Sequence, residues 1–175
     1  MSNVTGPDNA PDRDLRLEQL VSRYQEQVVR VCFLYLCDKT LAEDAMQETF
    51  IKVYRGLDAF RGDSSEKTWI MRIAMRTCYD MNRSAWFRVF DRHVTPDMIP
   101  PEASEPFEES DDDLMSAVMR LPIRLREVIL LYYYQKMNVT EVAEVLGITQ
   151  SSVSGRLKRG REKLKKMIEG SEFDE

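Results

Sequence analysis

Glycine, histidine and cysteine are all scarce in this 175-residue chain: seven glycines, one histidine (His93) and three cysteines (Cys32, Cys37, Cys78). Each shortage excludes a class of chemistry. The glycines are scattered, so no glycine-rich loop can cradle a phosphate. A single histidine leaves no room for a nucleophile–histidine pair, and with scattered cysteines it makes no zinc site. The cysteines are odd in number, lack CxxC spacing and lie in apolar-periodic segments, which reads as buried thiols in a reducing cytosol rather than a disulfide framework. No apolar run approaches the roughly 18 residues a membrane span needs. The first eleven residues are polar and lack the apolar core of a secretory signal, so residues 1–14 read as a disordered lead-in. These absences point away from an enzyme, a metal site or a bound cofactor, and towards a cytoplasmic protein.

Charge is plentiful but unevenly placed. The net charge of −5 argues at first against a nucleic-acid partner. Counted by segment, the charge argues the other way. Residues 1–96 balance 14 bases with 14 acids, residues 97–113 hold eight acids and no base, and residues 114–170 hold 11 bases against five acids. The acidic block also contains Pro96, Pro100, Pro101 and Pro106 within its immediate surroundings. It repels itself and cannot bury a core, so residues 94–113 are read as a linker. The last five residues form an acidic tail.

Apolar residues on either side of the linker recur at helical spacing. Leu17, Leu20, Val21, Tyr24, Val28, Val31, Cys32 and Tyr35 form one stripe; Met46, Phe50, Val53 and Leu57 form a second, on a helix from about Leu41 to Leu57. Asp63 with Glu66 has the form of a capping box for a third helix carrying Trp69, Ile70, Ile73 and Ala74, to Arg83 or on through Trp86 and Phe90. No alternating strand pattern and no internal repeat occurs. The expected fold is all-α, with two small helical domains at 15–93 and 114–170.

The second domain carries the sharper motif. Asn138-Val139-Thr140-Glu141 pairs an N-cap with an acid at N3, ahead of a short apolar helix. Gly147 sits where a left-handed residue ends a helix, Ile148 gives the turn an apolar contact, and Thr149 caps the next helix. That helix opens Gln150-Ser151-Ser152-Val153-Ser154 and continues through Arg156, Lys158, Arg159, Arg161, Lys163, Lys165 and Lys166. A short helix, a glycine turn and a second helix with small polar residues in its first turns is the helix-turn-helix pattern. Short hydroxyl and amide side chains allow close approach to base edges in the major groove, and the cations downstream suit phosphates.

In the first domain Asp44, Gln47 and Glu48 share a helix face, which alone would be an ordinary solvated surface. The surrounding stretch Ala42-Glu43-Asp44…Gln47-Glu48-Thr49-Phe50…Tyr54, followed by Phe60-Arg61-Gly62-Asp63-Ser64-Ser65 and Thr68-Trp69-Ile70-Met71-Arg72-Ile73-Ala74, resembles the second region of the extracytoplasmic-function (ECF) sigma factors. Leu121-Pro122 through Leu164 resembles their fourth region. The two motifs stand in the family's order and spacing over residues 15–92 and 114–168, with no third-region domain between them.

That resemblance implies a sigma factor that directs core RNA polymerase to promoters and stabilises their opening. Asp44, Gln47, Glu48, Lys52 and Arg55 match the face that docks on the polymerase clamp helices, and the second domain's match implies contact with the flap. Phe60, Arg61, Lys67, Trp69, Arg72, Arg76 and Arg83 match the −10 region, although core packing is the weightier reading for Trp69. Thr140, Gln150, Ser151, Ser152, Ser154, Arg156, Lys158 and Arg159 match the −35 surface. The acidic linker would thread towards the RNA path. An anti-sigma factor, often membrane-bound in this family, is the implied regulatory partner, and it could hold the chain at the membrane.

Two positions depart from the family pattern. Arg76 replaces an asparagine common there, and Ser154-Gly155 replaces a common Arg-Ser pair, so an atypical promoter is expected. Gly155 also costs roughly 1 kcal/mol of helix propensity relative to alanine. Trp86, Phe87 and Phe90, beside Arg88 and Arg92, form an amphipathic stretch that suits either internal packing or an inhibitory partner. The alternative to a sigma factor is a dimeric helix-turn-helix regulator with an N-terminal sensing domain, which would need paired half-sites about one helical turn apart.

Overall fold

A computed structural model describes residues 10–91 and 112–171. Seven α-helices, and no strand among the described residues, form two domains. The first holds α1 (Ala10–Leu36), α2 (Lys39–Gly56) and α3 (Glu66–Asp91); the second holds α4 (Asp112–Met119), α5 (Ile123–Ile129), α6 (Val139–Leu146) and α7 (Gln150–Ser171).

In the first domain α1 packs along α2 and α3. Val28, Val31, Cys32, Val53, Ile70, Ala74 and Cys78 close the core between the three helices. The Cys78 thiol has its pKa pushed up by a hydrogen bond with Cys32 and by burial. The Cys78 thiol therefore stays protonated, and both cysteines are buried and pack as small apolar groups. α2 starts two residues ahead of the expected Leu41, because the Asp38 carboxylate accepts from the Leu41 amide at 2.8 Å.

Two local expectations are corrected. Residues 10–14 are the first turns of α1 and not a disordered lead-in. Arg13 donates to the Tyr54 carbonyl at 2.9 Å and pairs with Asp58 at 3.3 Å, while the Tyr54 hydroxyl donates to Asp14 at 2.9 Å. These contacts tie the start of α1 to the end of α2. The cap of α3 is Ser65 and not Asp63: the Thr68 amide donates to Ser65 Oγ at 3.1 Å, and Asp63 turns to Arg61 at 3.6 Å. Serine and aspartate both serve as N-caps, so the sequence offered two starts and the loop geometry selected the later one.

In the second domain Leu121, Val128, Leu130, Leu131, Val142 and Val153 form the core. α5 runs without a break into a π-wound turn at Leu130–Tyr134. The expected capping box is present: the Asn138 amide donates to Glu141 at 2.8 Å and the Glu141 amide to Asn138 at 3.0 Å. Gly147 is left-handed at φ 64°, and the Ile148 amide closes the turn on the Ala143 carbonyl at 3.1 Å. The acidic block assigned to the linker and the acidic tail lie outside the described residues, except that α4 already begins at Asp112 and α7 reaches Ser171. His93 also lies outside them, as do the side chains of Trp86, Phe87, Arg88, Phe90 and Arg92.

Candidate nucleic-acid interface

The helix-turn-helix places α7 with a clean division of faces. Val153, Leu157 and Gly160 point inward, and Leu164 is half-buried on the same line. Gly160 allows the approach of α5, since a Cβ there would lie 3.1 Å from Ile129. Around the helix from this seam Ser151, Ser152, Ser154, Lys158 and Arg159 are exposed, as are Gln150 at the helix start and Thr140 on α6. Thr149 caps α7, its hydroxyl accepting from the Ser152 amide at 3.2 Å and donating to the Ser152 hydroxyl at 2.9 Å. The first turn of α7 therefore presents a cluster of hydroxyls at a capped helix N-terminus, a surface suited to phosphate and base edges.

The cations of α7 divide into two groups. Arg156 stands apart from the other −35 candidates: its guanidinium donates to Glu127 on α5 at 2.6 Å, and the two side chains are only 18% and 15% exposed. It ties α7 to α5. Arg161 donates to the Tyr133 hydroxyl at 3.4 Å, and Lys165 pairs with Glu169 at 3.6 Å. Lys158, Arg159, Lys163 and Lys166 are exposed and make no ion pair among the described residues, which leaves four cations for phosphates.

On α2 the residues Asp44, Gln47, Glu48 and Arg55 fall on one face. Glu48 pairs with Lys52 at 3.8 Å, and Lys52 also donates to the Thr77 hydroxyl at 3.1 Å, so this lysine is held against α3. Sequence reasoning missed Ile51, which is 45% exposed in the middle of this polar face. Its signal was there to read, an isoleucine seven residues after Asp44 on the solvent side.

The −10 candidates are only partly gathered. Phe60 stacks on Trp69 with ring centroids 4.6 Å apart. Trp69 also packs on the core, and a Cβ at Gly56 would come within 3.2 Å of its ring, in keeping with the packing role weighed for it. Arg61, Arg76 and Arg83 are exposed, with Arg61 beside Asp63. Lys67 and Arg72 are engaged in contacts with the second domain: Lys67 donates to the Gln135 carbonyl and Arg72 forms a partly exposed ion pair with Glu144. Desolvation at this contact lowers the Lys67 pKa, against a smaller upward pull from Glu141. Arg76 borders a cleft of about 520 Å³ between the domains, lined also by Tyr35, Tyr79, Arg124 and Glu127. Among the described residues no cluster of histidine, cysteine, aspartate or glutamate could hold a metal.

Comparison with known proteins matches this layout. The family model for Sigma-70 region 2 covers residues 20–88, and that for Sigma-70 region 4 covers residues 111–164. The ECF RNA polymerase sigma factor SigW of Bacillus subtilis is 28% identical over 163 residues, spanning 85% of this chain and 87% of that protein. The RNA polymerase sigma-H factor of Pseudomonas aeruginosa is 29% identical over 163 residues, spanning 86% and 84%. Among solved structures, the sigma factor RpoE in complex with the anti-sigma factor NepR from Bartonella quintana shares the fold at TM-score 0.77 and 22% identity, over 90% of this chain and 98% of that one. CnrH in complex with the cytosolic domain of CnrY follows at TM-score 0.65 and 25% identity, over 88% of each. With both sigma regions matched in order over most of its length, the chain belongs to the ECF family of RNA polymerase sigma factors.

Proposed function

We propose that this chain is a dissociable promoter-specificity subunit whose two domains, the first beginning with α1 and the second with α4, divide the promoter between them. The α2 face of Asp44, Gln47, Glu48, Lys52 and Arg55, with Ile51 at its centre, docks on the clamp helices of core polymerase, and the second domain reaches the flap. The exposed first turns of α7 read the −35 duplex through Gln150, Ser151, Ser152 and Ser154, with Thr140, Lys158 and Arg159 at the margins. Phe60, Arg61, Lys67, Arg72, Arg76 and Arg83 hold the melted −10 strand, and Trp69 supports them by packing. Polymerase carries out the chemistry and this chain supplies position, so its place of action is the cytoplasm. The observation that carries this reading is the outward stripe of α7, where hydroxyls and unpaired cations stand together on a capped helix-turn-helix.

RpoE of Bartonella quintana was solved with an anti-sigma factor, and CnrH with the cytosolic domain of CnrY. An anti-sigma factor is accordingly the regulatory partner proposed here, and a membrane-bound one would hold this chain at the membrane. The test is run-off transcription by bacterial core polymerase over a library of genomic upstream fragments. Discrete starts that require the chain, and weaken when Lys158→Ala is combined with Arg159→Ala, are the expected result. No stimulated start and no stable complex with polymerase from its own host would overturn the proposal.

A further inference from the structure

Phe60 enters the −10 surface from a joint where α2 gives way to a short helical turn at Leu57–Ala59. Its amide donates to the Leu57 carbonyl at 3.3 Å, and its ring stacks on Trp69 with centroids 4.6 Å apart. Arg13, in the first turns of α1, grips both sides of that joint. One guanidinium nitrogen donates at 2.9 Å to the Tyr54 carbonyl, in the last turn of α2, where carbonyls lack full partners within the helix. The other lies 3.3 Å from the Asp58 carboxylate, inside the short turn itself. The guanidinium also stands over the Tyr54 ring, 4.7 Å from its centroid, and the Tyr54 hydroxyl donates to Asp14 on α1 at 2.9 Å. The arginine is set into this joint and not spread over the surface. Its side chain is 28% exposed, and its Nε is buried without a hydrogen-bond partner. A planar fork can serve two acceptors and a ring face at once, which a lysine ammonium cannot.

We propose that Arg13 is a positioning residue for promoter opening: by fixing Tyr54 and Asp58 on the two sides of the joint, it sets how Phe60 meets Trp69. The strand-holding loop is thereby shaped before DNA arrives, and a loop already in its bound shape loses less freedom on binding. Arg13 and Asp14 stand ahead of residues 20–88, the stretch matched to Sigma-70 region 2, so the brace reaches the loop from outside that stretch. This role rests on the −10 part assigned to Phe60.

The test uses the full chain with core polymerase from its own host, on a duplex promoter recovered by run-off transcription. Arg13→Ala, Arg13→Lys, Asp58→Asn and Phe60→Ala are compared, each checked for folding by circular dichroism and for binding to core polymerase. Trp86→Phe in every protein leaves Trp69 as the sole tryptophan, so acrylamide quenching of its fluorescence reports the stack. Arg13→Ala should raise that quenching, leave polymerase binding unchanged, and lower transcription about tenfold, the factor carried by one hydrogen bond from a charged donor. Arg13→Lys, which keeps the charge without the fork, should recover part of the loss. Asp58→Asn alters an exposed side chain, so it keeps the test open should Arg13→Ala fail to fold; its loss should reach up to about fivefold. Unchanged quenching in the folded Arg13 and Asp58 variants overturns the brace. Altered quenching with full transcription, where Phe60→Ala is impaired, overturns the part of Arg13 in opening and leaves the −10 reading standing. If Phe60→Ala also transcribes fully, the −10 reading of this loop falls and the role of Arg13 falls with it.

Discussion

Arg156 and Glu127 meet at 2.6 Å between α7 and α5, each largely withdrawn from water. Burial raises the Glu127 pKa above its usual range, and Arg156 and Arg124 pull it back down. Removing the arginine leaves a carboxylate buried without its partner. Arg156→Met should therefore destabilise the second domain by about 3 kcal/mol, and Glu127→Gln by clearly less. A raised carboxyl pKa means that the folded state holds the proton to higher pH than the unfolded state. Stability from this group is thus greatest in acid and falls as pH rises through the folded pKa. Thermal unfolding of Arg156→Met at pH 5 and pH 8 should show the larger loss at pH 8.

Two glycines of α7 should respond in opposite directions. A Cβ at Gly155 meets nothing within 4 Å, so Gly155→Ala should stabilise the domain by roughly 1 kcal/mol. At Gly160 the side chain of Ile129 already stands where added atoms would go, and Gly160→Val should cost about 1–3 kcal/mol. Melting temperatures check both. A loss of promoter affinity in Gly155→Ala without loss of stability would mark this position as a point of close approach to DNA.

Four cations on α7 are available to phosphates. A −35 duplex should then bind with a slope of log affinity on log salt near −3.6, from about 0.9 per phosphate neutralised. Lys158→Ala should reduce that slope by about 0.9. Arg161→Ala should leave it nearly unchanged, because Arg161 faces Tyr133.

The caps offer a direct comparison. Ser65→Ala should destabilise the first domain by about 1 kcal/mol, as the loss of an N-cap does. Asp63→Ala should sit close to wild type, since its ion pair with Arg61 is open to water. Urea denaturation of both variants measures the difference.

Ile51 is the apolar centre of a polar face. Ile51→Ala should weaken binding to core polymerase about fivefold or more, as expected for an interface centre, and leave the melting temperature unchanged. Equal affinity in both proteins would place the polymerase contact elsewhere.

What could be read from the sequence was local or periodic. The Asn138–Glu141 box, the Gly147 turn and the inward line of Val153, Leu157 and Leu164 each rest on residues a few positions apart. Contacts across long separations left no such mark. Nothing around Arg156 signals that Glu127 will hold it, and nothing around Arg72 signals Glu144. Phe33 and Leu34 did carry a trace, since they make α1 apolar on all sides near its end, the mark of a helix enclosed on all sides. The stripe alone accounted for only one of its two neighbours.

The separation of faces on α7 has an evolutionary consequence. Val153, Leu157 and Gly160 carry the packing, while Ser151, Ser154, Gly155 and Lys158 owe nothing to the core. Mutation can change the second set without loosening the first, so promoter preference is free to drift, duplicate and diverge on a scaffold that stays folded throughout.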